Sequence, residues 1–206
     1  MALLETRRAQ RRTLRATSLL IGFTPLVALV LAAIDDDLGA NPIEKITHVT
    51  GAWALRFLVV CLAVTPLRRV TRWRMLSLER RTFGLFAFLY AALHLATYVA
   101  LDLGFDWGSL GEDIRKRPYI TLGFATFCIL LALASTSTRT AARRLGRRWK
   151  PLHRLVYLAG IGAVIHFFWL VKADTREPLI YGAIVATLLL VRLAWALRRA
   201  RGEAAH

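Results

Sequence analysis

Cysteine and negative charge are both scarce in this chain of 206 residues. Two cysteines, Cys61 and Cys128, each inside an apolar run, exclude a disulfide-stapled scaffold and cannot hold an iron–sulfur cluster. Thirteen Asp and Glu stand against 29 Lys and Arg, a formal charge of +16, and none of the acids lies inside a long apolar run. G-x-S-x-G, G-x-G-x-x-G, Walker and paired-carboxylate patterns are missing, so hydrolytic chemistry and soluble nucleotide binding have no site. No internal repeat, linker or low-complexity segment is evident, which leaves one domain.

The residues that are present are greasy and basic at once. A hydrophobic content of 56% excludes disorder, and with the net charge it requires the two kinds of residue to be segregated along the chain. Ala16 to Ile34, Thr82 to Leu101 and Pro118 to Thr138 are uncharged for 19, 20 and 21 residues, long enough to cross a hydrocarbon core of about 30 Å. Leu155 to Val171, extended at its start by Pro151, Leu152 and His153, makes a fourth span. Ile46 to Leu67 and Pro178 to Leu197 make two more, each with one arginine inside. Arg192 lies near the end of its run and is expected to snorkel to the interface, whereas Arg56 is deeper and needs a partner. The first run follows an Arg-rich stretch but is long for a signal core and has no convincing cleavage site, so it is expected to be retained.

The fold class is therefore an all-α integral membrane protein, a six-transmembrane-helix bundle with both termini cytoplasmic. Residues 1–15 form a basic tail, 16–197 the transmembrane domain and 198–206 a second tail. Orientation follows from charge: the two tails and the loops Arg68 to Arg81 and Arg139 to Lys150 carry 20 Lys and Arg. The three opposite segments carry six, namely Lys45, Arg115, Lys116, Arg117, Lys172 and Arg176. Ten of the acids, Asp35 to Asp37 among them, lie on that basic-poor side. Positive-inside topology and anionic lipid thus account for the basicity without nucleic acid.

Four of five histidines, His48, His94, His153 and His166, lie in or beside spans, where ionisable groups are expensive and point to function. His94 lies thirteen residues beyond Arg81, about 20 Å along a helix, and His166 fifteen beyond Pro151, about 22 Å. Their spans run in the same direction, so the two imidazoles share a level, as two axial ligands of one planar macrocycle must. Small residues flank both: Ala159, Gly162 and Ala163 near His166, Ala87 and Ala91 near His94. These either make room for a haem or merely permit close helix packing. Without C-x-x-C-H any haem is non-covalent, and electron transfer is the chemistry left.

Six segments carry a family likeness: NPIEKITHVTGAWAL (Asn41 to Leu55), VTPLRR (Val64 to Arg69), RRTFGLFAFLYAALH (Arg80 to His94), KRPYITLG (Lys116 to Gly123), WKPLHRLVY (Trp149 to Tyr157) and HFFWLVKAD (His166 to Asp174). Through them the chain resembles the MsrQ family, haem-binding membrane subunits of the bacterial periplasmic methionine-sulfoxide reductase system, within the ferric-reductase-like transmembrane group. The resemblance implies a multi-pass protein of the bacterial inner membrane. It also implies a relay that takes electrons from the respiratory quinone pool to a periplasmic molybdenum-containing reductase, with haem b and FMN as cofactors. The residues define no site for FMN. His94, His153 and His166 match the family's histidines.

The step from His153 to His166 is similar to a two-haem pair of the wider group, yet Arg80 and Arg81 stand where a histidine facing His153 is required. His153 is left as iron ligand, quinone or flavin contact, or structural cap. His48 either bonds a quinone oxygen or fixes its loop. Arg56, near the level of the haem, pairs with a propionate, with Glu44 or with a backbone carbonyl. Two readings from other classes stand beside the relay: a transporter whose histidines pass protons, and an anchoring subunit whose histidines only pack.

Overall fold

The structure, a computed structural model, describes residues 2–171 and 173–203. Lys172 and the end of the second tail, 204–206, lie outside the described residues, as do the side chains of Glu5, Arg7 and Glu203. Everything described is helix and short connection, with no strand. The helices are α1 (Ala2–Ile34), α2 (Pro42–Thr71), α3 (Leu76–Thr97), α4 (Trp107–Lys116), α5 (Pro118–Ser135), α6 (Arg139–Leu145), α7 (Trp149–His153), α8 (Val156–Leu170) and α9 (Arg176–Glu203). A π-helical turn, Tyr98–Asp102, continues α3, and a 3₁₀ turn, Gly146–Arg148, joins α6 to α7.

Local chemistry sets several of these boundaries. At the start of α2 the Asn41 side chain accepts from the Glu44 amide at 3.3 Å while its own amide donates back to the Glu44 carboxylate at 3.0 Å. Pro42 fills the first helical position, where no amide is needed. Asp106 caps α4, accepting from the Gly108 and Ser109 amides and from the Ser109 hydroxyl. Those bonds, the hydroxyl's first, hold its carboxyl below the usual carboxylate range. Inside the apolar helices, threonine hydroxyls at positions 24, 47, 50 and 97 donate to carbonyls one turn back. Their polar groups are thereby satisfied without water.

Five helices are long and apolar enough to cross a membrane, and a sixth crossing exists if a bent pair is one span. That pair is Arg139–His153 with Val156–Leu170, which meet at 43°. The expected span over Leu155 to Val171 with its extension is therefore not straight: Pro151, Leu152 and His153 belong to α7, on the far side of the bend from α8. Helix α1 continues the first apolar run back through the basic residues to Ala2.

The core lies among α2, α3, α5 and α8. Phe57 sits at its centre, with Phe83, Phe86 and Tyr90 within 6.2 Å of its ring centre and Leu58, Leu62, Ala87, Leu130, Val156 and Ala159 around it. Tyr90 is fully buried and donates its hydroxyl proton to the Gly22 carbonyl at 2.9 Å, fastening α1 to α3. By contrast α1 and α9 turn apolar residues outward: Leu20 is 71% exposed, Ile34 73% and Leu190 64%. A surface this apolar needs hydrocarbon around it.

Candidate functional site

His94 and His166 meet between the paired helices, their ring centres 6.2 Å apart and their planes at 79°. Each ring is held the same way. The Nδ1–H of His94 donates to the Thr47 carbonyl at 2.9 Å, and that of His166 to the Tyr119 carbonyl at 2.7 Å. A carbonyl can only accept, so both Nδ1 atoms carry the proton and each Nε2 keeps its lone pair. Neither Nε2 has a hydrogen-bond partner among the described residues. A histidine that ligates a metal is held in the same way, with a backbone acceptor fixing ring and tautomer and the other nitrogen left free. Two such nitrogens would fit on one iron at about 2 Å each with ring centres about 6 Å apart, close to the 6.2 Å found.

Glycine makes room for both brackets. One helical turn past each accepting carbonyl stand Gly51 and Gly123. A β-carbon there would lie 3.0 Å from Nδ1 of His94 and 2.7 Å from the ring of His166. In each bracket the carbonyl precedes its histidine by 47 residues. Thr47 and Tyr119, Gly51 and Gly123, Ala87 and Ala159, His94 and His166 are each 72 residues apart. The hairpin α2–α3 and the pair α5–α8 are thus two copies of one device, a repeat that sequence similarity does not display. The carbonyls carry no residue signature, and the two glycines at constant offset are the signal that marks them.

The small residues near the histidines are largely used in packing. Ala87 and Ala159 are fully buried in the core, and a β-carbon on Gly162 would collide with the Thr126 hydroxyl of α5. Of the two uses open to these residues, close helix packing accounts for them. No group of three or more His, Cys, Asp and Glu side chains among the described residues is arranged to hold a metal ion. A pair of imidazoles therefore suits a metal whose remaining ligands come from a macrocycle.

The other candidates lie apart from this pair. His48 is exposed and lines a groove of about 530 Å³ with Glu44, Lys45, Trp53 and Arg56. Arg56 finds neither Glu44 nor a carbonyl: its Nε donates to the Tyr181 hydroxyl at 3.0 Å and its guanidinium lies 4.7 Å from the centre of the Trp53 ring. His153 stacks on Trp149 at 4.1 Å, and its Nε2 is 3.2 Å from the Thr136 hydroxyl. That hydroxyl gives its proton to the Ala132 carbonyl at 2.6 Å, so it accepts from His153, whose Nε2 carries the proton.

Arg192 corrects the expectation of snorkelling. It turns inward, donating to the Tyr157 hydroxyl at 3.2 Å and to the Leu62 carbonyl. A carbonyl on α2 and a phenol on α8 offer partners that the apolar exterior lacks, so the guanidinium staples α9 to both.

Comparison with known proteins places these features in a lineage. The family model described as ferric reductase like transmembrane component matches residues 50–164. The protein-methionine-sulfoxide reductase heme-binding subunit MsrQ of Xanthomonas oryzae is 53% identical over 160 residues, 78% of this chain and 73% of its own. MsrQ of Rhodospirillum rubrum is 51% identical, with 86% of each chain covered, and that of Caulobacter vibrioides 48%, with 95% of this chain and 96% of its own. No solved structure matches. With identity near one half over nearly the whole length, and with both histidine brackets inside the aligned portion of the longest match, this chain belongs to the MsrQ family of the ferric-reductase-like transmembrane proteins.

Proposed function

We propose that this protein is a membrane electron-transfer subunit that binds haem b between His94 and His166. The observation that carries the reading is the matched pair of brackets: two imidazoles 6.2 Å apart, each donating its Nδ1–H to a backbone carbonyl and each keeping the lone pair on Nε2. The relatives' name, heme-binding subunit of a protein-methionine-sulfoxide reductase, supports the same cofactor and the same partner class.

Bound haem supplies a one-electron couple inside the hydrocarbon layer. What the chain does for it is structural. The Thr47 and Tyr119 carbonyls raise the basicity of the ligating nitrogens and prevent ring rotation, and Gly51 and Gly123 let the helices approach closely enough to do so. The core around Phe57 and Tyr90 excludes water from that level. Arg56, gripped by Tyr181 and Trp53, is the cation available to an anionic cofactor substituent, and the groove it shares with His48 is the site best suited to a quinone headgroup. His153, with its Nε2 proton committed to Thr136, fits a cap on α7 better than an iron ligand.

In this reading electrons come from the respiratory quinone pool and leave to a periplasmic molybdenum-containing methionine-sulfoxide reductase. The protein lies in the bacterial inner membrane with both termini in the cytoplasm. FMN, which the family likeness implies, is assigned no residues.

The purified protein is expected to show sharp, reducible bands of a six-coordinate low-spin haem. His94→Ala and His166→Ala should each abolish or severely reduce haem content. Normal loading in both single variants, or a colourless parent protein under full cofactor supply, would overturn the assignment.

A further inference from the structure

The turn that follows α3 is not α-helical. Tyr98–Asp102 form a π turn, in which the Leu103 amide reaches back five residues to the Tyr98 carbonyl at 3.0 Å. Such turns recur at functional positions because they re-aim side chains at the expense of regular hydrogen bonding. Tyr98 stands one helical turn beyond His94, and its amide donates to the carbonyls of His94 and Leu95. Its hydroxyl leaves α3 altogether and donates to Oδ2 of Asp113, in α4.

The other oxygen of the same carboxylate, Oδ1, lies 3.0 Å from Nε of Arg117. Arg117 is the N-cap of α5, and its carbonyl accepts from the Ile120 and Thr121 amides at 2.9 and 3.1 Å. Two residues later stands Tyr119, whose carbonyl holds His166. The Thr121 hydroxyl also reaches the Ile114 carbonyl, tying the last turn of α4 to the first of α5. The Asp113 side chain is 14% exposed although it belongs to a surface helix, while that of Arg117 is 53% exposed. Asp113, ahead of the Tyr119 side chain, pushes the Arg117 pKa up, as expected of an ion pair that is only partly hydrated.

A single carboxylate therefore joins the end of the helix that carries His94 to the start of the helix that orients His166. We propose that Asp113 is a positioning residue for the imidazole pair: by holding Tyr98 with one oxygen and Arg117 with the other, it sets the relative placement of α3 and α5 and so the angle between the two rings. The inference rests on the haem reading above. A π turn is a compliant joint, and without the latch the end of α3 has no charged anchor to α5 among the described residues. The angle between ligating imidazole planes and the strength of the Nδ1–H bonds that hold them would both tune a bound haem's electronics. A residue placed to control them governs the redox couple without touching the iron.

The test uses the full-length protein, loaded with haem, in four variants: Asp113→Ala, Asp113→Asn, Tyr98→Phe and Glu112→Gln. The last removes the exposed pair that Glu112 makes with Lys116 on the same helix and controls for general disturbance of α4. Haem per protein, midpoint potential and the spread of low-spin electron paramagnetic resonance g values are read. Asp113→Ala is expected to change the one-electron reduction equilibrium severalfold and to alter the g spread at full haem content. Tyr98→Phe should move both in the same sense. Asp113→Asn, whose amide oxygen still accepts from Tyr98, should recover part of the parent signature, and Glu112→Gln should match the parent. Parent-like potential and g values in both Asp113→Ala and Tyr98→Phe would overturn the proposal, as would equal shifts in Asp113→Ala and Glu112→Gln. Equal loss of haem and of folded protein in Asp113→Ala and Asp113→Asn would assign the residue to the fold alone and likewise overturn it. A parent protein that takes up no haem is a different failure: it removes the haem reading, and this inference with it.

Discussion

At Gly123 a β-carbon would sit 2.7 Å from the His166 ring, closer than real β-carbons come to any neighbour, and at Gly51 it would sit 3.0 Å from Nδ1 of His94. The two glycines occupy equivalent places in the two brackets, so replacing each with alanine is a graded test of how rigid the brackets are. Each ring is pinned to a carbonyl of the helix that bears the glycine, and neither is the free end of a flexible side chain. Gly123→Ala is expected to displace His166 and lower haem occupancy strongly. Gly51→Ala, with a few tenths of an ångström to recover, should be milder, retaining haem with a shifted spectrum. Haem titration of the two variants measures the difference, and equal full occupancy in both would show that the helices part freely at this level. His94 and His166 were legible in the sequence because an imidazole in an apolar run is costly and rare. The carbonyls that orient them were not, since every residue has one. Arg192 was misread for a related reason: its distance from the end of the run says nothing about the phenol of Tyr157 or the carbonyl of Leu62, which face it from other helices.

Helix α2 starts at Pro42, four residues ahead of the apolar run that begins at Ile46, because the Asn41 cap and Pro42 set its first turn, and hydropathy marks neither that extension nor breaks inside apolar runs. The bend between α7 and α8 falls at Arg154 and Leu155, in a stretch whose composition alone suits a continuous helix. Nor was α4 expected, because ten residues between two spans read as a loop until their cap and amphipathic pattern are placed together. Asp106 makes that element sensitive to acid. Its carboxyl is held below its ordinary value chiefly by the Ser109 hydroxyl and then by the Ser109 and Gly108 amides. A depressed carboxyl contributes stability that is fully present above its unfolded pKa and is lost as pH falls through the folded one. The cap should therefore be intact at neutral pH and weaken below about pH 4, near the unperturbed aspartate value. Amide hydrogen exchange in the first turn of α4, corrected for the intrinsic pH dependence, is expected to lose protection over that range, and Asp106→Ala to lack the transition. Protection in Asp106→Ala that still falls with acid as in the parent would place the sensitivity elsewhere.

For the whole molecule, the two brackets and the charge pattern together fix an arrangement that neither supplies alone. The brackets place His94 and His166 at one level, on helices that the alternation of basic loops makes parallel. Positive-inside bias predicts which level: the α4 end, with six Lys and Arg against twenty at the α6 end, is expected to face the periplasm. The acids sharpen the contrast, since Asp35 to Asp37, Asp102, Asp106, Glu112, Asp113 and Asp174 all lie at the α4 end. Single cysteines test this directly in a Cys128→Ala background, which removes the exposed native thiol and leaves the buried Cys61. Asp37→Cys is preferable to a change at Asp36, whose φ of +56° already strains a side-chain-bearing residue. Asp37→Cys, Glu112→Cys and Asp174→Cys are expected to react with a membrane-impermeant maleimide added outside the inner membrane of spheroplasts. Arg74→Cys and Arg144→Cys should react only after the membrane is opened. Labelling of Arg144→Cys from outside would invert the topology, carry the histidine pair to the cytoplasmic half, and end the reading in which electrons leave toward a periplasmic partner.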